Sequence, residues 1–154
     1  GRIGRLYFER GDYEKAIENY KNAIELSPKA PYFYISLAIA QQKFGKVEDA
    51  TNNYEYAYKL SPDDAKVLLC LANAYAENKD FNKAYMFYDR VLDKDSNYYS
   101  AYVCKAVAYC DDNKTSDAII LLKQAIEIMP ERKEAYLTLA NILINEKRRK
   151  IERG

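Results

Sequence analysis

Residues 68–92 read LLCLANAYAENKDFNKAYMFYDRVL. Leu68, Leu71, Ala72 and Tyr75 recur at steps of three and four, which places them on one face of a helix. Ala84, Phe87, Tyr88, Val91 and Leu92 repeat the pattern a few residues later. Between the stripes lies the polar break Asn78-Lys79-Asp80. Helices commonly end on a residue in the left-handed conformation, which glycine and asparagine tolerate best. Asn78 fits that rule better than Lys79 and is the expected turning residue. The stretch therefore reads as helix, tight turn, helix.

The same pattern extends in both directions at a fixed interval. Small residues recur at Gly4, Ala38, Ala72, Ala106 and Ala140, then at Ala16, Ala50, Ala84 and Ala118, and again at Ala23, Ala57, Val91 and Ala125. Large residues keep step at Tyr20, Tyr54, Tyr88 and Leu122, and at Tyr34, Leu68, Tyr102 and Tyr136. Pro28, Pro62 and Pro130 share one phase, with Ser96 in the fourth place. Proline cannot continue a helix but suits the first turn of the next one. Breaks at Gly11-Asp12, Gly45-Lys46 and Asn113-Lys114 match the one at Lys79-Asp80. A single helix pair cannot bury both of its faces, so an internal period of this kind calls for neighbouring pairs to pack on one another.

The set Ile3-Gly4, Tyr7, Gly11-Asp12-Tyr13, Ala16, Tyr20, Ala23 and Pro28 resembles the tetratricopeptide repeat, and later units resemble it with ordinary drift. The resemblance covers essentially the whole chain. It divides 1–154 as a single repeat domain into a unit over 1–30 that lacks its opening residues, full units at 31–64, 65–98 and 99–132, and a final helix over 133–150. It implies an all-α fold, a right-handed superhelical solenoid of antiparallel helix pairs, in which each unit's first helix lines a concave side. The fourth unit departs from the pattern at Lys105 and Thr115, where apolar residues are usual, so its packing is expected to be looser.

Composition narrows the function. The chain has 154 residues, 49% hydrophobic and 31% charged, which suits a folded domain. With 24 basic and 23 acidic side chains the net charge is +1, so no global field draws nucleic acid or an anionic membrane. Apolar runs such as Ala118–Leu122 are too short to span a bilayer. The absence of histidine removes Ser–His and Cys–His nucleophile pairs and histidine-containing metal sites. No glycine-rich phosphate loop is visible. No catalytic residue, metal or cofactor is expected. The sequence starts at Gly1 in mid-pattern and reads as an excised piece of a longer chain.

If the family geometry holds, groove-facing residues are those of each first helix that lie off its packing stripe. In the first two units these are Phe8, Tyr32, Ile35, Ile39 and Gln42. The third unit adds Lys66, Leu69 and Asn73, the fourth Val103 and Val107, and the final helix Leu137 and Asn141. This surface is apolar in the middle, and a contiguous exposed apolar patch marks an interaction site. The opposing reading is that these side chains pack against neighbouring helices. Relatives that clamp a terminal carboxylate use Lys, Arg and Asn on successive first helices; here Ile35, Ile39, Leu69, Cys70 and Val103 occupy most such places, and Lys66 with Asn73 makes a poor clamp. Relatives with an asparagine ladder carry one Asn per repeat; here that column reads Ser36, Cys70, Cys104 and Thr138. What remains is an amphipathic helix or an apolar peptide segment of another protein.

Cys70 and Cys104 occupy equivalent repeat positions, and Cys110 follows. An odd number without CxxC spacing reads as reduced, partly buried thiols in a reducing, cytoplasmic setting. About half of the 16 tyrosines fall in the periodic columns, while Tyr56, Tyr58, Tyr98 and Tyr99 are candidates for the surface. The tyrosine-rich stretches lack interleaved Lys or Arg, which argues against stacking on nucleic acid. Residues 145–154 carry five positive and two negative charges. They read as a solvated helix end whose cations complement the dipole, with contact to an acidic partner or membrane surface as the sharper alternative. The expected function is a protein–protein interaction module, an adaptor or scaffold. The alternatives are a self-assembling scaffold joined through apolar solenoid ends as a homo-oligomer, and a regulatory domain of a larger enzyme.

Overall fold

A computed structural model describes residues 2–153. Among them the chain forms nine α-helices and no strand: α1 (Arg2–Glu9), α2 (Tyr13–Leu26), α3 (Pro31–Lys43), α4 (Val47–Leu60), α5 (Ala65–Glu77), α6 (Phe81–Lys94), α7 (Tyr99–Asp111), α8 (Thr115–Ile128) and α9 (Lys133–Arg153). From α3 onward, each odd-numbered helix starts 34 residues after the previous one, and the even-numbered helices keep the same interval. The period read from the columns is thus the period of the backbone. The helices group into two compact units, residues 1–75 and 76–154.

The turn inside each pair recurs with the same geometry. Gly11, Gly45, Lys79 and Asn113 all have positive φ, at 79°, 92°, 65° and 61°. Around Gly45, its own N–H donates to the Gln42 carbonyl and Lys46 N–H reaches back to the Gln41 carbonyl at 2.8 Å, closing the last turn of α3. Lys114 N–H makes the same long reach to Tyr109 at 2.7 Å. The turning residue of the third pair is Lys79, not Asn78. Repeat register overrides side-chain preference there, and the lysine takes the left-handed conformation that its position requires.

In the first unit, Ala16, Ile17, Tyr20, Leu37 and Ala40 form a buried cluster with Tyr7, Phe8 and Ile24 against it. The Gly4 position explains its lack of a side chain, since a Cβ there would lie 2.9 Å from Cε1 of Tyr20. In the second unit, Tyr99, Ala106, Ala118, Leu122, Ala125, Ala135 and Ile142 form the core, with Val103 packed at its edge. Alanine in these columns lets helices approach while tyrosine and leucine fill the space beside them.

Three local expectations are corrected. Tyr99 is not a surface residue: it is 4% exposed, and its hydroxyl accepts the Ala135 N–H at 2.9 Å, satisfying a first-turn donor of α9. The place of Lys105 is not loosely packed, because the side chain folds back to Asp89 on α6. Finally, α9 runs on to Arg153, past the expected end at 150.

Candidate functional site

Each odd-numbered helix presents the candidate residues, and burial sorts them. In the first unit Tyr32 and Lys66 are exposed, Phe8, Ile39, Gln42, Leu69 and Asn73 are half-buried, and Ile35 is 3% exposed. Ile35 is therefore a core side chain and not part of an accessible face. Spacing along one helix identified it as off-stripe, but a neighbouring helix covers that side as well. In the second unit Val103 is half-buried, while Val107, Leu137 and Asn141 are exposed.

The first unit holds its polar edge by internal contacts. The Tyr32 hydroxyl donates to Asp64 Oδ2, and Lys66 Nζ lies 5.2 Å from the centre of the Tyr32 ring. Asp64 also accepts N–H donors from Lys66 at 2.9 Å and Val67 at 3.3 Å, which caps α5. Burial alone would raise the Asp64 pKa. The Tyr32 hydroxyl, the two backbone donors and the Lys66 ammonium outweigh it and hold the carboxyl below its ordinary value. Gln42 accepts from the Tyr54 hydroxyl at 3.0 Å, and Phe8 meets the Tyr13 ring edge-on at 5.3 Å. Sequence spacing did not single out Gln41, which is 4% exposed and accepts from Asn53 Nδ2 at 2.7 Å. A polar residue in a column otherwise filled by tyrosines was the available signal.

The second unit leaves more apolar surface open. Val107 is 43% exposed between Ala106 and Ala108, which are 0% and 1%, and Leu137 is 62% exposed on α9. Cys110 lines a shallow cleft with Asp111, Ile142 and Glu146. Burial first, and then the carboxylates of Asp111 and Glu146, push its thiol pKa up, so it resists becoming the reactive thiolate. No disulfide joins the three cysteines. Among the described residues no cluster of His, Cys, Asp or Glu has the makings of a metal site, and no helix is long and apolar enough to cross a membrane.

Solved structures with the same fold cover nearly the whole chain. A thermophilic TPR protein of Thermus thermophilus superposes with a TM-score of 0.81 at 20% identity, over 94% of this chain and 80% of that one. Pseudomonas aeruginosa pilF gives 0.80 at 20% identity, over 96% and 67%. MamA of Desulfovibrio magneticus RS-1, from residue 41 to its end, gives 0.75 at 19% identity, over 97% and 85%. No curated protein sequence matches the chain. One family model, described as TPR repeat, matches residues 4–45, and a second, described as tetratricopeptide repeat, matches residues 43–103. Together they run over well over half of the sequence, in the register of the helix pairs, and the chain belongs to the tetratricopeptide repeat family.

Proposed function

We propose that the first-helix faces hold an amphipathic helix or an apolar peptide segment of a partner protein, and that the chain acts as an adaptor or scaffold through them. The tetratricopeptide repeat is a protein-interaction module, which supports the coarse reading. The finer reading rests on one observation: Val107 and Leu137, off the packing columns of α7 and α9, leave 43% and 62% of their surface open. Apolar side chains left open beside a fully packed core are what a partner's apolar face would cover. Val103 and Asn141 flank them in the second unit, and Tyr32, Ile39, Gln42, Lys66, Leu69 and Asn73 with Phe8 offer the counterpart in the first.

The test is a peptide selection on the immobilised chain, followed by affinity measurements on variants. Val107→Asp places a charge where the partner's apolar face would lie and should weaken selected peptides at least tenfold, about 1.4 kcal/mol. Arg149→Glu, on the far stretch of α9, should leave them unchanged. The Val107 variant should melt with the parent because its side chain is largely open. Undiminished binding to Val107→Asp overturns the assignment of the face.

A further inference from the structure

The uncovered face of α9 has counterparts in every other pair, and those counterparts show what covers it. A Cβ on Gly4 would strike Tyr20; the Tyr34 ring lies 4.6 Å from that of Tyr56; Gln41 accepts from Asn53. In each case the second residue lies on the second helix of the same pair. The columns of Gly4, Tyr34 and Gln41 therefore form the face that a first helix turns toward its own partner helix. In α9 these columns are Ala140, Tyr136 and Leu143. Ala38, Ala72 and Ala106 are 0% exposed, whereas Ala140 is exposed and Tyr136 and Leu143 are 45% and 50% open.

The backbone does not return a helix to this face by the turn used elsewhere. Lys147 occupies the place of Gly11, Gly45, Lys79 and Asn113, yet it is helical, and α9 continues to Arg153. The stripe continues with it, since Lys147 follows Leu143 by four residues and Ile151 follows by four more, 69% exposed. Lys147, Arg148 and Lys150 make that end of the stripe basic. In an antiparallel pair the second helix starts beside the end of the first. The second helices carry acids in that first turn: Glu14 in α2, Glu48 and Asp49 in α4, Asp117 in α8. An acidic helix start also suits the positive end of the helix dipole.

We propose that α9 docks, in trans, an antiparallel helix from another protein, with small residues facing Ala140 and an acidic first turn beside Lys147, Arg148 and Lys150. This surface is distinct from the one built on Val107. A second copy of the chain is a poorer occupant, because its own second helices already have their large packing residues buried, from Tyr20 at 6% to Leu122 at 0%.

The probe is a labelled peptide with the α4 sequence, Val47–Leu60, stapled across the exposed positions 52 and 59 so that it is helical when free. It should bind the chain saturably with one site. Ala140→Asp should weaken it at least tenfold. Lys147→Glu with Lys150→Glu should do the same, and a peptide carrying Glu48→Lys and Asp49→Lys should bind this doubly reversed chain at least tenfold better than it binds the parent. All altered positions on α9 are exposed, so circular dichroism and melting should match the parent. Val107→Asp should leave the peptide's affinity unchanged, which separates this proposal from the preceding one. The proposal is overturned by absence of saturable binding, by binding indifferent to Ala140→Asp, or by loss of binding in Val107→Asp. It is also overturned if light scattering shows a dimer that Ala140→Asp dissociates, or if anionic phosphatidylserine vesicles bind the same residues and the peptide does not displace them.

Discussion

Lys79 holds a left-handed conformation, φ 65°, at a position where Gly11 and Gly45 stand in other pairs. A side chain there costs about 1–2 kcal/mol relative to the right-handed region, while glycine costs about 0.5–1 kcal/mol in unfolded-state entropy. Lys79→Gly should therefore stabilise the chain by up to about 1 kcal/mol, less the contribution of its ammonium over the Phe81 ring. Gly45→Ala should do the reverse by about 1 kcal/mol. A Cβ on Gly45 meets nothing within 4 Å, so the loss would be conformational and not steric. Urea unfolding of both variants checks the signs. The break itself was legible from residue types; which residue turns was not, because only the register of the whole repeat decides it.

Asp64 supplies a second residue-scale expectation. Its pKa is lowered in the folded chain, so its ionised form adds stability above the ordinary aspartate range, and that stability is lost as pH falls through the lowered value. Tyr32→Phe removes the hydroxyl donor and should move the Asp64 midpoint upward in a carbon-detected titration. An unmoved midpoint would show that the backbone amides of Lys66 and Val67 alone hold the carboxylate.

At the scale of the helix, the column of Leu37 and Leu71 continues as Lys105 in α7. The sequence shows the irregularity but not its resolution, since Asp89 lies sixteen residues away on α6 and the pairing depends on how the two helices cross. Lys105 Nζ sits 2.6 Å from Asp89 Oδ1 and 5.4 Å from the Tyr109 ring centre, with 12% of its side chain exposed. Burial by itself lowers the Lys105 pKa, but the Asp89 hydrogen bond and charge and the Tyr109 ring raise it above the ordinary value overall. Removing one member of such a pair leaves the other charge poorly solvated, whereas replacing the pair by hydrocarbon is often neutral or favourable. Asp89→Ala should cost about 1–2 kcal/mol, tempered because Asp89 is itself 56% exposed. Lys105→Leu with Asp89→Ala should recover that loss. A double-mutant cycle measures the difference, and a coupling near zero would mean that Lys105 is held by its hydrocarbon stem alone.

For the molecule as a whole, repetition made the fold readable. Each column was sampled four or five times, so one unusual residue did not obscure the pattern. Accessible faces were much less legible, because repetition says which side of a helix is packed but not where the packing stops. Ile35 and Leu137 occupy the same repeat position, yet one is 3% and the other 62% exposed. In a repeat protein stability comes from each unit plus its interfaces with neighbours, so the same residue has a different energetic weight where an interface is missing. Ala106 and Ala140 isolate that effect. They share a column and a residue type, one in α7 facing α8 and the other in α9 with no described helix over it. Ala106→Leu forces about three extra carbons into a closed contact and should cost about 1–3 kcal/mol. Ala140→Leu adds the same atoms to an exposed surface and should stay within about 0.5 kcal/mol of the parent. Parallel denaturant melts provide the comparison. Equal losses would mean that Ala140 is covered in solution, for example by self-association, and the concentration dependence of the melt would then reveal it.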